Sequence, residues 1–288
     1  MLDKVAGSGQ SLVSESACEP VTASLHFSRG GGRTVLAGQR LPYPFHATRP
    51  FYLDQERPDI ATLYLQSASG GLYRGDSFGL SIIADPHSAA HITTQASTIV
   101  HRTHQRRVLQ RTQIDIGEHA FAAVTPEPLV LFPNAEICCT TDVTLADMGR
   151  AILIDGFAHH DPAGNDRPFD RYSNAVTVRN NAGAILLADR GSLAGELMLS
   201  STSPLGPFRA TGTLLVLGPG SERCDAGTLE TRLAAFGCVT GISKLPNDSG
   251  IGGRILAVNG GALARGLEAA FAVAFEALLG VPPARRRK

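Results

Sequence analysis

Five acids stand out by their surroundings: Asp76, Glu127, Asp155, Asp161 and Asp189 each lie in apolar or glycine-rich sequence. Two such carboxylates that converge can act as acid and base, and several oxygens together can hold a divalent cation. Histidines form two short groups, His101-x-x-His104 and His159-His160-Asp161, and His87, His91 and His119 lie near turns. A zinc or nickel centre needs three or four convergent ligands with a supporting outer shell. Neither histidine spacing supplies that, and Arg102, Arg106 and Arg107 oppose a cation at His101 and His104. Surface histidines are the simpler expectation.

Other motifs of catalysis are missing. Gly70-Gly71-Leu72-Tyr73-Arg74-Gly75-Asp76 lacks the Lys-Ser/Thr of a phosphate loop and precedes strand-like sequence, not a helix. Ser249-Gly250-Ile251-Gly252-Gly253 reads as a glycine-rich turn before a strand at Arg254–Val258. There is no Gly-x-Ser-x-Gly elbow, and the absence of Trp argues against a cleft that stacks sugars. Cys138-Cys139 is a vicinal pair, not a Cys-x-x-Cys motif. On a strand its two side chains point to opposite faces, so one thiol is expected to be buried as a small apolar group.

The elements that must position these residues are mostly strands. Val108, Gln110, Thr112, Ile114 and Ile116 alternate with Arg111, Gln113 and Asp115; Ile137, Cys139, Thr141, Val143 and Leu145 alternate with Glu136, Cys138, Thr140, Asp142 and Thr144. Period two with one polar side marks a half-exposed strand. Asn180-Asn181-Ala182-Gly183 reads as a hairpin turn. Three turns at Asp85–Ala89, Ile116–Ala120 and Leu145–Gly149 recur about every thirty residues, as in stacked units that bury one another's apolar faces.

The last third differs. Thr211–Leu217 reads as an apolar strand and Leu229–Phe236 as a helix. From Ala262 to Leu279, Leu263, Leu267, Ala270, Phe271, Ala274, Phe275 and Leu278 share one broad helical face, stopped by Gly280 and Pro282-Pro283. The fold class expected is mainly β: layered or coiled, β-helix-like strands, with a small C-terminal α+β portion ending in a long amphipathic helix. The divisions expected are a flexible N-terminal segment (1–20), a β-rich body (21–205), the α+β portion (206–283) and a solvated basic tail (284–288).

Composition excludes some functions. With 288 residues, 43% hydrophobic and 18% charged, the chain has enough apolar surface for a large core. Its 26 basic and 26 acidic residues balance to zero, so there is no positive field to hold nucleic acid. No run approaches the ~18 apolar residues of a membrane span, and the first twenty residues lack the apolar core of a signal peptide. A cytoplasmic location is expected. A neutral, apolar-leaning chain is poorly protected from association, which points to a protein partner.

Motif order sharpens this. From about Leu41 to Pro283 the chain resembles the UreD (also called UreH) family of urease accessory proteins. The resemblance rests on five segments: Tyr64-Leu65-Gln66 with Gly70-Gly71-Leu72-Tyr73-Arg74-Gly75-Asp76; Ala90–Thr98; Thr125-Pro126-Glu127-Pro128-Leu129-Val130-Leu131-Phe132; Thr240-Gly241-Ile242-Ser243-Lys244-Leu245-Pro246; and Arg254-Ile255-Leu256-Ala257. Gln95-Ala96 and Ile99 replace a Pro-Gly and a Lys of the family pattern, and Pro133-Asn134 replaces an Asp-Gly. The resemblance implies a non-catalytic scaffold that binds urease apoprotein with the UreF and UreG accessory proteins and assists nickel insertion. It implies no permanently bound cofactor, only transient nickel, and no nucleic-acid or membrane partner. By position it assigns Asp76, Asp155 and Asp189 to a metal route. The alternative is a hydrolase or lyase with an acidic cleft on the same coiled scaffold, which requires those carboxylates to converge.

Overall fold

The computed structural model describes residues 20–286. Residues 1–19, most of the segment expected to be flexible, and the last two of the basic tail lie outside the described residues.

The recurring turns organise the middle of the chain. Each carries a strand from one sheet to the other: Ser77–Ala84 to Ala89–Thr94, Val108–Ile116 to Phe121–Thr125, and Glu136–Leu145 to Arg150–His159. The strands of successive passes pair in parallel on both sides. Two short strands, Ile99–Val100 and Leu129–Leu131, also pair in parallel, and Leu129–Leu131 joins them to the end of Arg150–His159 in the same sheet. The expected coil of strands is therefore present. At its turns His87, His119 and Met148 occupy the same left-handed position, with φ of 60°, 54° and 57°. Amides of one turn bond carbonyls of the next, His87 N to Glu118 O at 2.9 Å and His119 N to Asp147 O at 3.3 Å.

Register follows from the apolar positions. Leu25, Ile82, Ile114, Val143 and Val178 lie side by side across the seven-stranded sheet, all buried against the ten-stranded one. A slip of one residue would turn every one of them outward. Arg171–Asn180 continues this sheet in parallel, and Ile185–Ala194 returns antiparallel through the expected hairpin at Asn180–Gly183.

The ten-stranded sheet is the middle of three layers. Leu153, Leu215 and Leu217 face the other sheet, while Ile152, Ile154, Leu214, Val216 and Ile255 face the helices. Burial on both faces explains the nearly unbroken apolar runs of Arg150–His159 and Ala210–Leu217. The covering helix, Gly260–Leu279, is capped by Asn259, whose side chain accepts from Ala262 N, and ends at Gly280 with φ 78°. Close approach needs its small residues: a Cβ on Gly266 would lie 2.6 Å from Cys238 Sγ.

Three local expectations change. The strand expected from Arg254 begins at Gly250, because Gly250–Ala257 is held between Ala210–Leu217 and Val239–Lys244. The glycines are needed there, since a Cβ on Gly252 or Gly253 would meet Leu245 or Ile242 at 2.6 or 2.8 Å. His91 is not a surface histidine; it is buried and stacks on Phe271 at 4.8 Å. The tail is not solvated at Arg286, whose guanidinium lies over Phe271 at 4.4 Å and 3.7 Å from the buried Asp54 carboxylate. No helix among the described residues is long and apolar enough to cross a membrane.

Candidate functional site

Along the strands of the seven-stranded sheet the inward positions change character. Near the turns they are Ile114, Ile116, Val143, Leu145, Val176 and Val178, part of one apolar cluster. Further along they become Gln110, Thr112, Cys139, Thr141 and Asn174, and beyond these Val108, Ile137 and Tyr172 belong to a second cluster. Polar side chains between two apolar clusters cannot close the space as hydrocarbon does. A cavity of about 510 Å³ occupies this interval, lined by Gln110, Thr112, Cys139, Asn174, Asp155 and Thr213 among others. Its wall is largely apolar, with Leu65, Phe78, Ile92 and Leu153 in it, and the polar side chains form a band where water and small hydrated cations can be held.

Two rows of residues face each other across it. In one sheet, Gln110, Cys139 and Asn174 are successive register partners. In the other, Asp155, Thr213 and Arg254 are. Asn174 Nδ2 donates to Asp155 Oδ2 between the sheets. Arg254 Nη1 donates to Thr213 Oγ1 at 2.6 Å, and its Nη2 donates to Asp189 of the opposite sheet.

Asp155 is thus enclosed by protein while its carboxylate borders the cavity. Burial pushes its pKa up to about 6; hydrogen bonds from Asn174 and Thr213 and the Arg254 charge oppose that rise, and Asp189 adds to it. Burial, then the neighbouring Asp155, raises the Cys139 thiol, so it stays protonated. The same two causes hold the Tyr172 hydroxyl well above its ordinary range.

The three acids assigned by resemblance separate. Asp155 and Asp189 meet through Thr213 and Arg254. Asp76 does not join them: its Oδ2 accepts from Tyr73 N at 2.7 Å and closes the glycine-rich turn. Nor do the histidine groups form a centre. His101 stacks on Tyr73 at 4.6 Å, and His104 sits exposed in a turn. Burial lowers the His159 pKa, while both oxygens of Asp161 are taken by the Arg167 guanidinium and by three backbone amides. Among the described residues no three His, Cys, Asp or Glu side chains converge on a metal position.

Sequence reasoning missed Asn174, Thr213 and Arg254. Thr213 carried a readable signal, a polar residue inside the apolar run Thr211–Leu217. Asn174 and Arg254 gain their meaning only from register between distant strands.

Comparison with known proteins agrees on one family. A family model described as UreD urease accessory protein matches residues 21–288. A Urease accessory protein UreD 1 of Methylorubrum populi is 48% identical over 269 residues, covering 93% of this chain and 92% of its own length. A Urease accessory protein UreD 3 of a Bradyrhizobium species is 43% identical over 268 residues, with coverage of 93% and 95%. At greater distance, a Urease accessory protein UreD 1 of Pseudomonas syringae pv. tomato is 32% identical over 276 residues, with coverage of 94% and 96%.

Proposed function

Because the chain belongs to the UreD family of urease accessory proteins, we propose that it is a maturation factor that assists nickel insertion into urease. It acts in the cytoplasm as a non-catalytic scaffold, holding urease apoprotein with UreF-type and UreG-type accessory proteins. It keeps no resident cofactor; nickel is its cargo. The observation that carries this reading is the internal cavity with the Asp155 carboxylate in its wall. Asp155 and Glu127, the two acids that line it among hydroxyl and amide oxygens, attract a borderline divalent cation without caging it, which suits passage more than storage. Asp189, engaged by Arg254, acts on Asp155 from outside the cavity lining.

A hydrolase would need two carboxylates free to converge on a substrate, and here Asp155 is held by Asn174, Asp189 by Arg254 and Asp76 by its own turn. Deleting the gene is expected to leave urease protein present but without nickel and inactive, with both restored by the wild-type chain. Nickel content of purified urease measures this. Full urease activity in the deletion strain at low nickel would overturn the reading.

A further inference from the structure

The loops beside the cavity opening carry charge that no side chain among the described residues neutralises. Gly70–Asp76 and His101–Arg107 interlock: Leu72 N bonds Ile99 O at 2.8 Å, His101 N bonds Leu72 O at 2.9 Å and Gly75 N bonds Arg106 O at 2.9 Å. Tyr73 and His101 stack in parallel planes. A Cβ on Gly71 would come within 2.9 Å of the His101 ring, so the two loops need that glycine to pack. The backbone of this double loop is fixed before any partner arrives.

Arg74, Arg102, Arg106 and Arg107 project from it, all exposed. None makes an ion pair or side-chain hydrogen bond among the described residues. The loops contain one acid, Asp76, turned back onto Tyr73 N. In a chain whose net charge is zero, this is a concentrated positive field, with the exposed Tyr73 ring in its midst. Arginine and tyrosine are the residues that most often dominate protein interfaces.

Its place gives it a consequence. Gly70, Gly71 and Leu72 line the cavity, as do Gln95, Ala96 and Ser97, and of these Gly70, Gln95, Ala96 and Ser97 are exposed. An exposed part of the cavity lining therefore lies beside the arginines, in the same pair of interlocked loops. We propose that this basic double loop is the docking site for an acidic face of a protein partner, and that docking removes a positive barrier to cations at the cavity opening. The proposal rests on the function given above and adds where the partner sits and what its surface must carry. Undocked, the guanidinium groups repel a divalent cation; paired with carboxylates, they do not. Metal would then enter or leave at this end only within the complex. A protein face fits better than nucleic acid, because the patch is compact and the rest of the chain offers no basic track.

The test uses Cys139, which lines the cavity, as the single thiol, with Cys18 and Cys138 replaced by Ser and Cys224 and Cys238 by Ala. At alkaline pH the small thiolate fraction of this otherwise protonated thiol attacks a methanethiosulfonate to form a mixed disulfide and release methanesulfinate. Comparing cationic aminoethyl with neutral methyl reagent cancels the thiol's own reactivity. Replacing Arg74, Arg102 and Arg107 by Gln, with Arg106 kept against Gly75, should raise the cationic-to-neutral rate ratio about threefold or more at about 20 mM salt. At about 0.5 M salt the difference should vanish, because screening shortens the reach of the charges. The same variant, folded by circular dichroism, should bind a mixture of urease apoprotein with UreF-type and UreG-type proteins about tenfold or more weakly in sedimentation. An unchanged rate ratio, unchanged association, or tighter binding of a single-stranded oligonucleotide than of these proteins would overturn the proposal. The labelling arm uses no partner, so it stands even if the deletion strain shows that the chain does not serve urease.

Discussion

Asp189 of the seven-stranded sheet and Arg254 of the ten-stranded sheet form an ion pair between the layers, outside the Asp155–Asn174 hydrogen bond that also crosses them. The two contacts are linked by Thr213. Its hydroxyl accepts from Arg254, which leaves its proton free for Asp155, one of the groups that lower that acid's pKa.

This relay predicts the behaviour of Arg254→Met. The ion pair is partly solvated, with the arginine side chain 53% exposed, so its loss should cost about 1 kcal/mol or less. The effect on Asp155 should be clearer. Without the guanidinium charge, and with Thr213 free to turn, the Asp155 pKa should move further up. Carbon-detected titration of the carboxyl measures it, and an unmoved midpoint would refute the relay.

Asp155→Asn should stabilise the isolated protein at neutral pH. The folded-state pKa of about 6 stands above the unfolded value of 3.8. The folded form therefore holds the proton more tightly, and the resulting stability is full below pH 4 and lost as pH rises through about 6. A shift of roughly two units corresponds to about 3 kcal/mol at most. Asparagine keeps an oxygen for Asn174 and never ionises, so urea unfolding should show its advantage at pH 7.5 and little at pH 4. In cells the same variant should lower the nickel content of urease. An acid that weakens the fold yet is needed for activation is the pattern expected of a functional group.

How much of this was legible follows from how local each feature is. Alternation of Val108–Ile116 and Ala135–Leu145, the repeated turns and the face of the last helix depend on neighbours in sequence, and the structure has all of them. The glycines from Gly250 to Gly253 read as a turn because local propensity favours one; strands on both sides hold them extended instead. His91 and Arg286 read as exposed because their types usually are, yet Phe271 offers both an aromatic face. The cavity was visible only as polar residues at inward positions, Gln110, Thr112, Cys139 and Asn174. Their meeting with Asp155 depends on the register of strands from opposite layers, which one sequence does not encode at any fixed spacing.

Gly156→Ala tests the packing behind the acid. A Cβ there would lie 2.7 Å from Thr211 O and 3.0 Å from Gly212 Cα, with Leu263 of the covering helix at 3.4 Å. Backbone on one side and helix on the other leave no room to yield. The change should cost about 1 to 3 kcal/mol and displace Asp155 in the next position. Reduced stability at every pH, without the pH dependence of Asp155→Asn, would separate the two effects in denaturant titrations.

Asp76→Ala should behave in the opposite way to Asp155→Asn. Its carboxylate holds the Tyr73 amide in the turn that follows Gly70-Gly71, so its loss removes a local hydrogen bond of the kind worth about 1 kcal/mol. The turn also sets the Tyr73 ring against His101, and that stack should loosen, readable as faster hydrogen exchange at Tyr73 and Leu72. Asp76 borders no part of the cavity wall, so nickel in urease should remain near the wild-type level once protein amounts are matched. One substitution would then weaken the fold without touching delivery, while the other strengthens the fold and impairs delivery. Should Asp76→Ala instead abolish nickel insertion with the turn intact by exchange, the metal route would have to run past this loop and not through Asp155 alone.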